Sequence, residues 1–417
     1  MLGTGTGPFG PPQAARWEDT AHESFSAAAA AFAASVVERE AAAAKLQAAN
    51  EFLFASLRSL KVCWSRHVGV PCGDAAGAEA AAAAAAAAGW RVVSADFAAD
   101  GSLLLVAAVG GPEGSSAKLL LIDLKTGCVP RVYDCPEGGV SSARFVALST
   151  AECLIGGAEA DACVRLWDLA AGRLVCPYPL PVPLIGSEGL LAHPRQRLFL
   201  ASCCNGSVLL FDLKQSQPLA VMQCENPRPA IAFDWEGLVF AVARFSTDVR
   251  LVNSELTDLQ EFSAFDLSAS LDPGSCIASL CFSPDGEAIA VATNRHQLLL
   301  VNAFEGTTMA RLCEASFGDL SSDWPCTPTF SGNSSLLFWS RGPSLLAFRM
   351  PPATDSGAQQ QQKQQRQQQT DLNTELLVAR HAGHSEPISI AKASPTHALV
   401  LTVGGGVVAL WQPAVQA

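Results

Sequence analysis

One short apolar strand recurs seven times along this chain of 417 residues, and five of the copies close on Asp or Asn. It reads Leu119-Leu120-Leu121-Ile122-Asp123, then Val164-Arg165-Leu166-Trp167-Asp168, then Val208-Leu209-Leu210-Phe211-Asp212. Four further copies follow: Val249-Arg250-Leu251-Val252-Asn253, Leu298-Leu299-Leu300-Val301-Asn302, Leu345-Leu346-Ala347-Phe348-Arg349 and Val407-Val408-Ala409-Leu410-Trp411-Gln412. Aligned residues fall at 122, 167, 211, 252, 301, 348 and 411, so the steps are 45, 44, 41, 49, 47 and 63. The long last step holds a glutamine-rich tract of about 20 residues, without which it returns to about 43, the length of a four-stranded propeller blade. Strands packed this densely, with Gly, Pro, Asp and Asn between them, exclude a helical solenoid and a parallel α/β sheet.

A second strand type precedes these copies and ends in a turn. Phe282-Ser283-Pro284-Asp285-Gly286 leads into Ala288-Ile289-Ala290-Val291, and Phe233-Asp234-Trp235-Glu236-Gly237 into Leu238-Val239-Phe240-Ala241. Pairs such as Asp285-Gly286 supply the positive φ of a tight hairpin. The full Trp-Asp pair occurs only at Trp167-Asp168, with Asp161 six residues earlier in the hairpin before it, while Gly383-His384 opens the segment ending at Trp411. Together with Asp212 these residues form the signature of WD repeats, and they predict an all-β, seven-bladed WD-repeat β-propeller over residues 90–417, with an insertion at 356–375. The last blade offers three strands of its own. Residues 56–71, and Ser59-Leu60-Lys61-Val62-Cys63-Trp64 within them, are expected to supply its fourth, removing an edge that a ring leaves open.

The remainder is biased in composition. Residues 1–55 are expected to form a partly helical, alanine-rich extension: Thr20 and Glu23 fit a capping box, and Phe25, Phe32, Val36, Leu46, Leu53 and Leu57 form a thin apolar stripe. Residues 72–89 are a low-complexity insertion whose alanine run, 80–88, falls far short of the roughly 20 residues of a membrane span. The glutamine tract 359–369 is too polar to bury apolar surface and reads as disordered.

Charge narrows the function. With 27 Lys+Arg against 39 Asp+Glu, the net charge is −12, which argues against direct nucleic-acid binding. Residues 90–417 carry −10 of it, so the disc favours basic partner segments such as Arg/Lys-rich peptides. Residues 1–12 have neither a basic head nor an apolar run, so a reducing compartment is expected. None of the 14 cysteines forms a C-x-x-C pair, and the histidines, His22, His67, His193, His296, His381, His384 and His397, are scattered, so no metal site is expected. Phosphate loops, a nucleophile elbow and H-E-x-x-H are absent from the sequence. Asp123, Asp168 and Asp212 occupy equivalent blade positions and read as turn residues rather than as a converging acid pair. The expectation is a rigid platform with no catalytic residue and no cofactor.

The stretch Pro229-Ala230-Ile231-Ala232-Phe233-Asp234-Trp235-Glu236-Gly237-Leu238-Val239-Phe240-Ala241 resembles a blade of one WD-repeat subfamily. Its members are the propeller subunits shared by the COMPASS (Set-type) histone methyltransferase and by transcription-termination and phosphatase assemblies. Phe282-Ser283-Pro284-Asp285-Gly286, with Asn302-Ala303-Phe304-Glu305-Gly306, is similar to another of its blades. The resemblance implies a nuclear, non-enzymatic subunit that links methylation of histone three at lysine four to RNA polymerase II. Its implied partners are a Set-type methyltransferase, a phosphatase, 3′-end-processing factors and the phosphorylated polymerase tail. The alternative within the fold is a substrate receptor of a cullin-type ubiquitin ligase; that class shows Trp-Asp-x-Arg, and here Ala170 stands in place of the arginine.

Overall fold

A computed structural model describes residues 60–67 and 89–413, apart from 111–115, 136–138, 159, 255–258, 313–326 and 352–375. They fall within one compact unit, Ala49–Ala417; the other unit, Met1–Ala48, and with it the expected helical extension, lies outside the described residues. The insertions expected at 72–89 and 356–375 lie largely outside them as well.

Strand β1 is Leu60–His67. Blade 1 then runs β2 (Arg91–Phe97), β3 (Leu103–Gly110), β4 (Ser116–Asp123) and β5 (Arg131–Asp134). Blade 2 is β6 (Ser142–Phe145), β7 (Glu152–Gly156), β8 (Cys163–Asp168) and β9 (Arg173–Pro179). Blade 3 is β10 (Leu190–Ala192), β11 (Leu198–Ser202), β12 (Ser207–Asp212) and β13 (Pro218–Gln223). Blade 4 is β14 (Ile231–Phe233), β15 (Val239–Val242), β16 (Asp248–Asn253) and β17 (Glu261–Asp266). Blade 5 is β18 (Ile277–Phe282), β19 (Ala288–Thr293), β20 (Leu298–Asn302) and β21 (Thr308–Arg311). Blade 6 is β22 (Thr329–Phe330), β23 (Leu336–Arg341), β24 (Ser344–Arg349) and β25 (Leu377–Ala382). Blade 7 is β26 (Ile388–Ala393), β27 (Val400–Gly404) and β28 (Val407–Pro413), completed by β1.

Each blade is an antiparallel sheet of four, and position within it dictates residue type. Second and third strands lie between neighbouring blades, so they are apolar on both faces; all six residues of β19 are buried. Fourth strands face solvent on the rim, and exposure alternates along β17.

The core is therefore divided into seven clusters among the described residues, one in each gap between blades. Leu105, Leu119, Ala143 and Ile155 fill the gap between blades 1 and 2, for example, and Val92, Leu104, Leu401 and Val408 the gap between 7 and 1. Replacing one such buried leucine by alanine costs about 2–5 kcal/mol.

Polar staples repeat around the ring. Tyr178, buried at the end of β9, donates its hydroxyl to Leu213 O of blade 3 at 2.8 Å and lies edge-on to Phe199 and Phe211. Tyr133 of β5 does the same to Leu169 O of blade 2. At the seam between blades 4 and 5 Phe265 stands in the tyrosine's place, its ring occupying the space a Cβ on Gly306 would need, 2.1 Å away. His193 locks blade 3 to blade 4. Its Nδ1 accepts the N–H groups of Arg195 and Gln196 at 3.0 and 2.9 Å, so its Nε2 carries the proton and donates to Gly237 O at 2.9 Å.

The ring closes through β1, which pairs antiparallel with β28 from Leu60↔Pro413 to His67↔Val407, with an irregularity between Val62 and Trp64. Together the pairing leaves no propeller blade with three strands.

Candidate functional site

The first strands of all seven blades surround a central cavity of about 380 Å³. Apolar walls come from Ile231, Phe233, Leu280, Phe282 and Ile390, and charge from Asp96, Arg144, Glu188, Asp234 and Lys392. Its three carboxylates sit on different elements: Asp96 on β2, Glu188 in the short 3-10 helix Ser187–Gly189 ahead of β10, and Asp234 in the turn after β14.

Two of the three carboxylates face cations. Asp96 Oδ1 of β2 lies 2.8 Å from Lys392 Nζ of β26, and its Oδ2 accepts the Phe145 N–H at 3.0 Å. Arg144 of β6 is 4% exposed. It donates to Ser94 Oγ at 2.7 Å, to Ala143 O at 3.1 Å and to Ser187 O at 2.7 Å, and stands 3.6 Å from Glu188. Its Nε–H is buried without an acceptor. Asp234, in the turn between β14 and β15, accepts the Val239 N–H at 3.1 Å and is flanked by Phe233 and by Trp235, which is 43% exposed. The Cys281 thiol also lines the cavity, and burial pushes its pKa up to about 12, so it stays protonated at neutral pH and is a poor nucleophile. Among the described residues, no group of three or more His, Cys, Asp or Glu is placed to hold a metal ion.

The signature residues lie elsewhere. Trp411 and His384 meet on Thr402: Trp411 Nε1–H donates to Thr402 Oγ1 at 2.7 Å, and His384 Nε2 lies 2.7 Å from the same oxygen. Gly383 precedes His384 because a Cβ there would come within 2.4 Å of the Trp411 ring. Burial lowers the pKa of both His381 and His384. Trp167 occupies the matching place in blade 2, yet its Nε1–H has no acceptor: Trp411 pairs with Val400, two residues before Thr402, whereas Trp167 pairs with Cys153, two before the buried Ile155. Asp161 forms an ion pair with Arg165 across the β7–β8 hairpin. Asp168 accepts the N–H groups of Ala170 and Ala171 at 2.8 and 2.9 Å, and Asp212 that of Lys214 at 2.9 Å. Asn302 does likewise for Phe304 and Glu305, both at 2.9 Å. Asp285 accepts the Glu287 N–H at 3.0 Å, with Gly286 at φ +75° between them. These carboxylates and amides cap turns, each in its own blade.

A WD repeat-containing protein 82 of Drosophila melanogaster is 26% identical over 220 residues, which is 52% of this chain and 65% of that protein. The Set1 complex component swd2 of Schizosaccharomyces pombe is 26% identical over 153 residues, 36% of this chain and 42% of that protein. The chain is a seven-bladed β-propeller similar in sequence to a WD repeat-containing protein and to a Set1 complex component. The solved β-propeller domain of Cps50 (Swd1) from Myceliophteria thermophila superposes on this propeller with a TM-score of 0.56, covering 78% of this chain and 96% of that one at 15% identity. That likeness carries the fold alone. No protein-family model matches the propeller, and the alignments span less than two thirds of the length of both curated relatives.

Proposed function

We propose that this propeller is a non-catalytic interaction scaffold, a nuclear subunit of a COMPASS-like histone methyltransferase complex that links histone three lysine-four methylation to RNA polymerase II transcription or termination. The similarity to a Set1 complex component of Schizosaccharomyces pombe carries this reading. The chemistry of the cavity supports the non-catalytic part. Two of its three carboxylates face cations, the third caps its own turn, and its thiol is held protonated by burial. A thiol held protonated is a weak nucleophile, and a carboxylate paired with a cation is a weak general base. In this reading the partners are a Set-type methyltransferase, a phosphatase or 3′-end-processing factors, and the phosphorylated polymerase tail.

Affinity purification of the tagged full chain from nuclear extract tests it. The expected result is recovery of a Set-type methyltransferase together with termination or phosphatase subunits. Recovery of cullin adaptors with none of these overturns the assignment.

A further inference from the structure

We infer that the mouth of the central cavity at blade 4 is a receptor for a cationic side chain, Arg or Lys, presented by a partner peptide. The inference concerns the disc itself and holds for any complex the chain joins.

Three observations meet there. The first is charge. Of the five ionic side chains lining the cavity, Asp96 and Lys392 face each other, as do Arg144 and Glu188, which leaves the Asp234 carboxylate as the surplus. Asp234 contributes Oδ1 to the Val239 N–H; no hydrogen bond is formed by its Oδ2 among the described residues.

The second is the aromatic setting. Phe233 and Trp235, either side of Asp234 in the chain, both line the cavity, and Phe282 joins them from the next blade. Trp235 is 43% exposed and adjoins the Asp234 carboxylate in the chain. An aromatic face next to a carboxylate is the combination that attracts guanidinium or ammonium groups.

The third is size. A cavity of about 380 Å³ is at the lower end of the range for ligand sites, suited to a side chain and its peptide group rather than to a larger cofactor.

The test uses the purified full chain and labelled Gly/Ser peptides that carry one central Arg, Lys, Gln or Glu, read by fluorescence anisotropy. The Arg and Lys peptides are expected to bind saturably and the Gln and Glu peptides not to. Trp235→Ala and Asp234→Asn are each expected to weaken binding about tenfold. Glu305→Gln removes the same charge outside the cavity and is expected to leave affinity unchanged, which separates the site from general attraction to an acidic disc. Asp234 also holds its own turn, so a denaturation midpoint is taken for D234N, and Trp235→Ala carries the test if that variant is unstable. Equal binding of the Gln and Arg peptides, affinity unchanged in Trp235→Ala, or preference for a single-stranded RNA oligonucleotide overturns the inference. A chain that binds these peptides yet recovers no methyltransferase from extract fails the assignment above and leaves the receptor standing.

Discussion

Lys392 of the seventh blade holds its Nζ 2.8 Å from Asp96 Oδ1 of the first, and the other oxygen of that carboxylate accepts the Phe145 N–H of the second at 3.0 Å. One side chain thus joins three consecutive blades. Lys392→Met keeps the aliphatic stem and removes the ammonium, leaving a part-buried carboxylate with a single backbone donor. The expected loss is about 1–3 kcal/mol of folding free energy, read from denaturant unfolding. An unchanged midpoint would show that the seam does not depend on this pair.

Thr402→Val removes the oxygen shared by Trp411 and His384 while keeping the shape of the side chain. The Trp411 indole is buried and Thr402 Oγ1 is its acceptor among the described residues, so the variant is expected to lose about 1–3 kcal/mol. Thr402→Ser, which keeps the hydroxyl, is expected to lose less, and the difference between the two midpoints isolates the hydrogen bonds from packing.

His381 and His384 both have pKa values lowered by burial. The unfolded chain, with histidines near 6.5, therefore binds more protons than the native ring as pH falls through that value. Stability is full above about pH 6.5 and declines below it, until the depressed native values are passed. Urea midpoints measured from pH 8 down to pH 5 are expected to fall through this window, and His384→Gln is expected to flatten part of the decline. A midpoint that rises on acidification would contradict this assignment.

Gly237 has φ +79°, and a Cβ there would stand 2.2 Å from the His193 ring that locks blade 3 to blade 4. Gly237→Ala is expected to cost about 1–3 kcal/mol from backbone conformation alone, with more from displacement of the histidine. Hydrogen exchange at Arg195 and Gln196, whose N–H groups bond to His193, reports the displacement directly.

Deleting residues 1–67 removes β1 and leaves the β28 edge of blade 7 unpaired. The shortened chain is expected to self-associate and to unfold with reduced cooperativity. Size-exclusion chromatography and thermal unfolding read both effects; a monomer as stable as the full chain would mean that β1 contributes nothing to closure.

What could be read from the sequence was whatever repeats. The third strands of the blades carry the period because both their faces are buried, and that demand is the same in every blade, from Leu119 to Val408. Turn residues such as Asp285 and Gly286 were legible for the same reason: a local backbone geometry selects them. The cavity was not legible. Asp96, Arg144, Leu191, Phe233, Cys281 and Lys392 come from equivalent first strands and share no chemistry; the contacts of Asp96, Arg144 and Lys392 run to adjacent blades. His193 looked like one of seven scattered histidines, and only the bonds from Arg195 and Gln196 and to Gly237 O give it a role. The signature tryptophan at Trp167 was legible as a residue, but its lost hydrogen bond depends on Ile155, which no motif marks.

The pairing of β1 with β28 also sets a clock. Val62 and Trp411 are partners 349 positions apart, so at about 5–20 residues per second the ribosome needs roughly 17–70 s to deliver the second after the first. Through that interval the blades already made stand as an open arc, with an unmated strand at one end and a growing edge at the other. Among the described strands the first to leave the ribosome is the last to find its partner, and until then its edge is open to neighbouring chains.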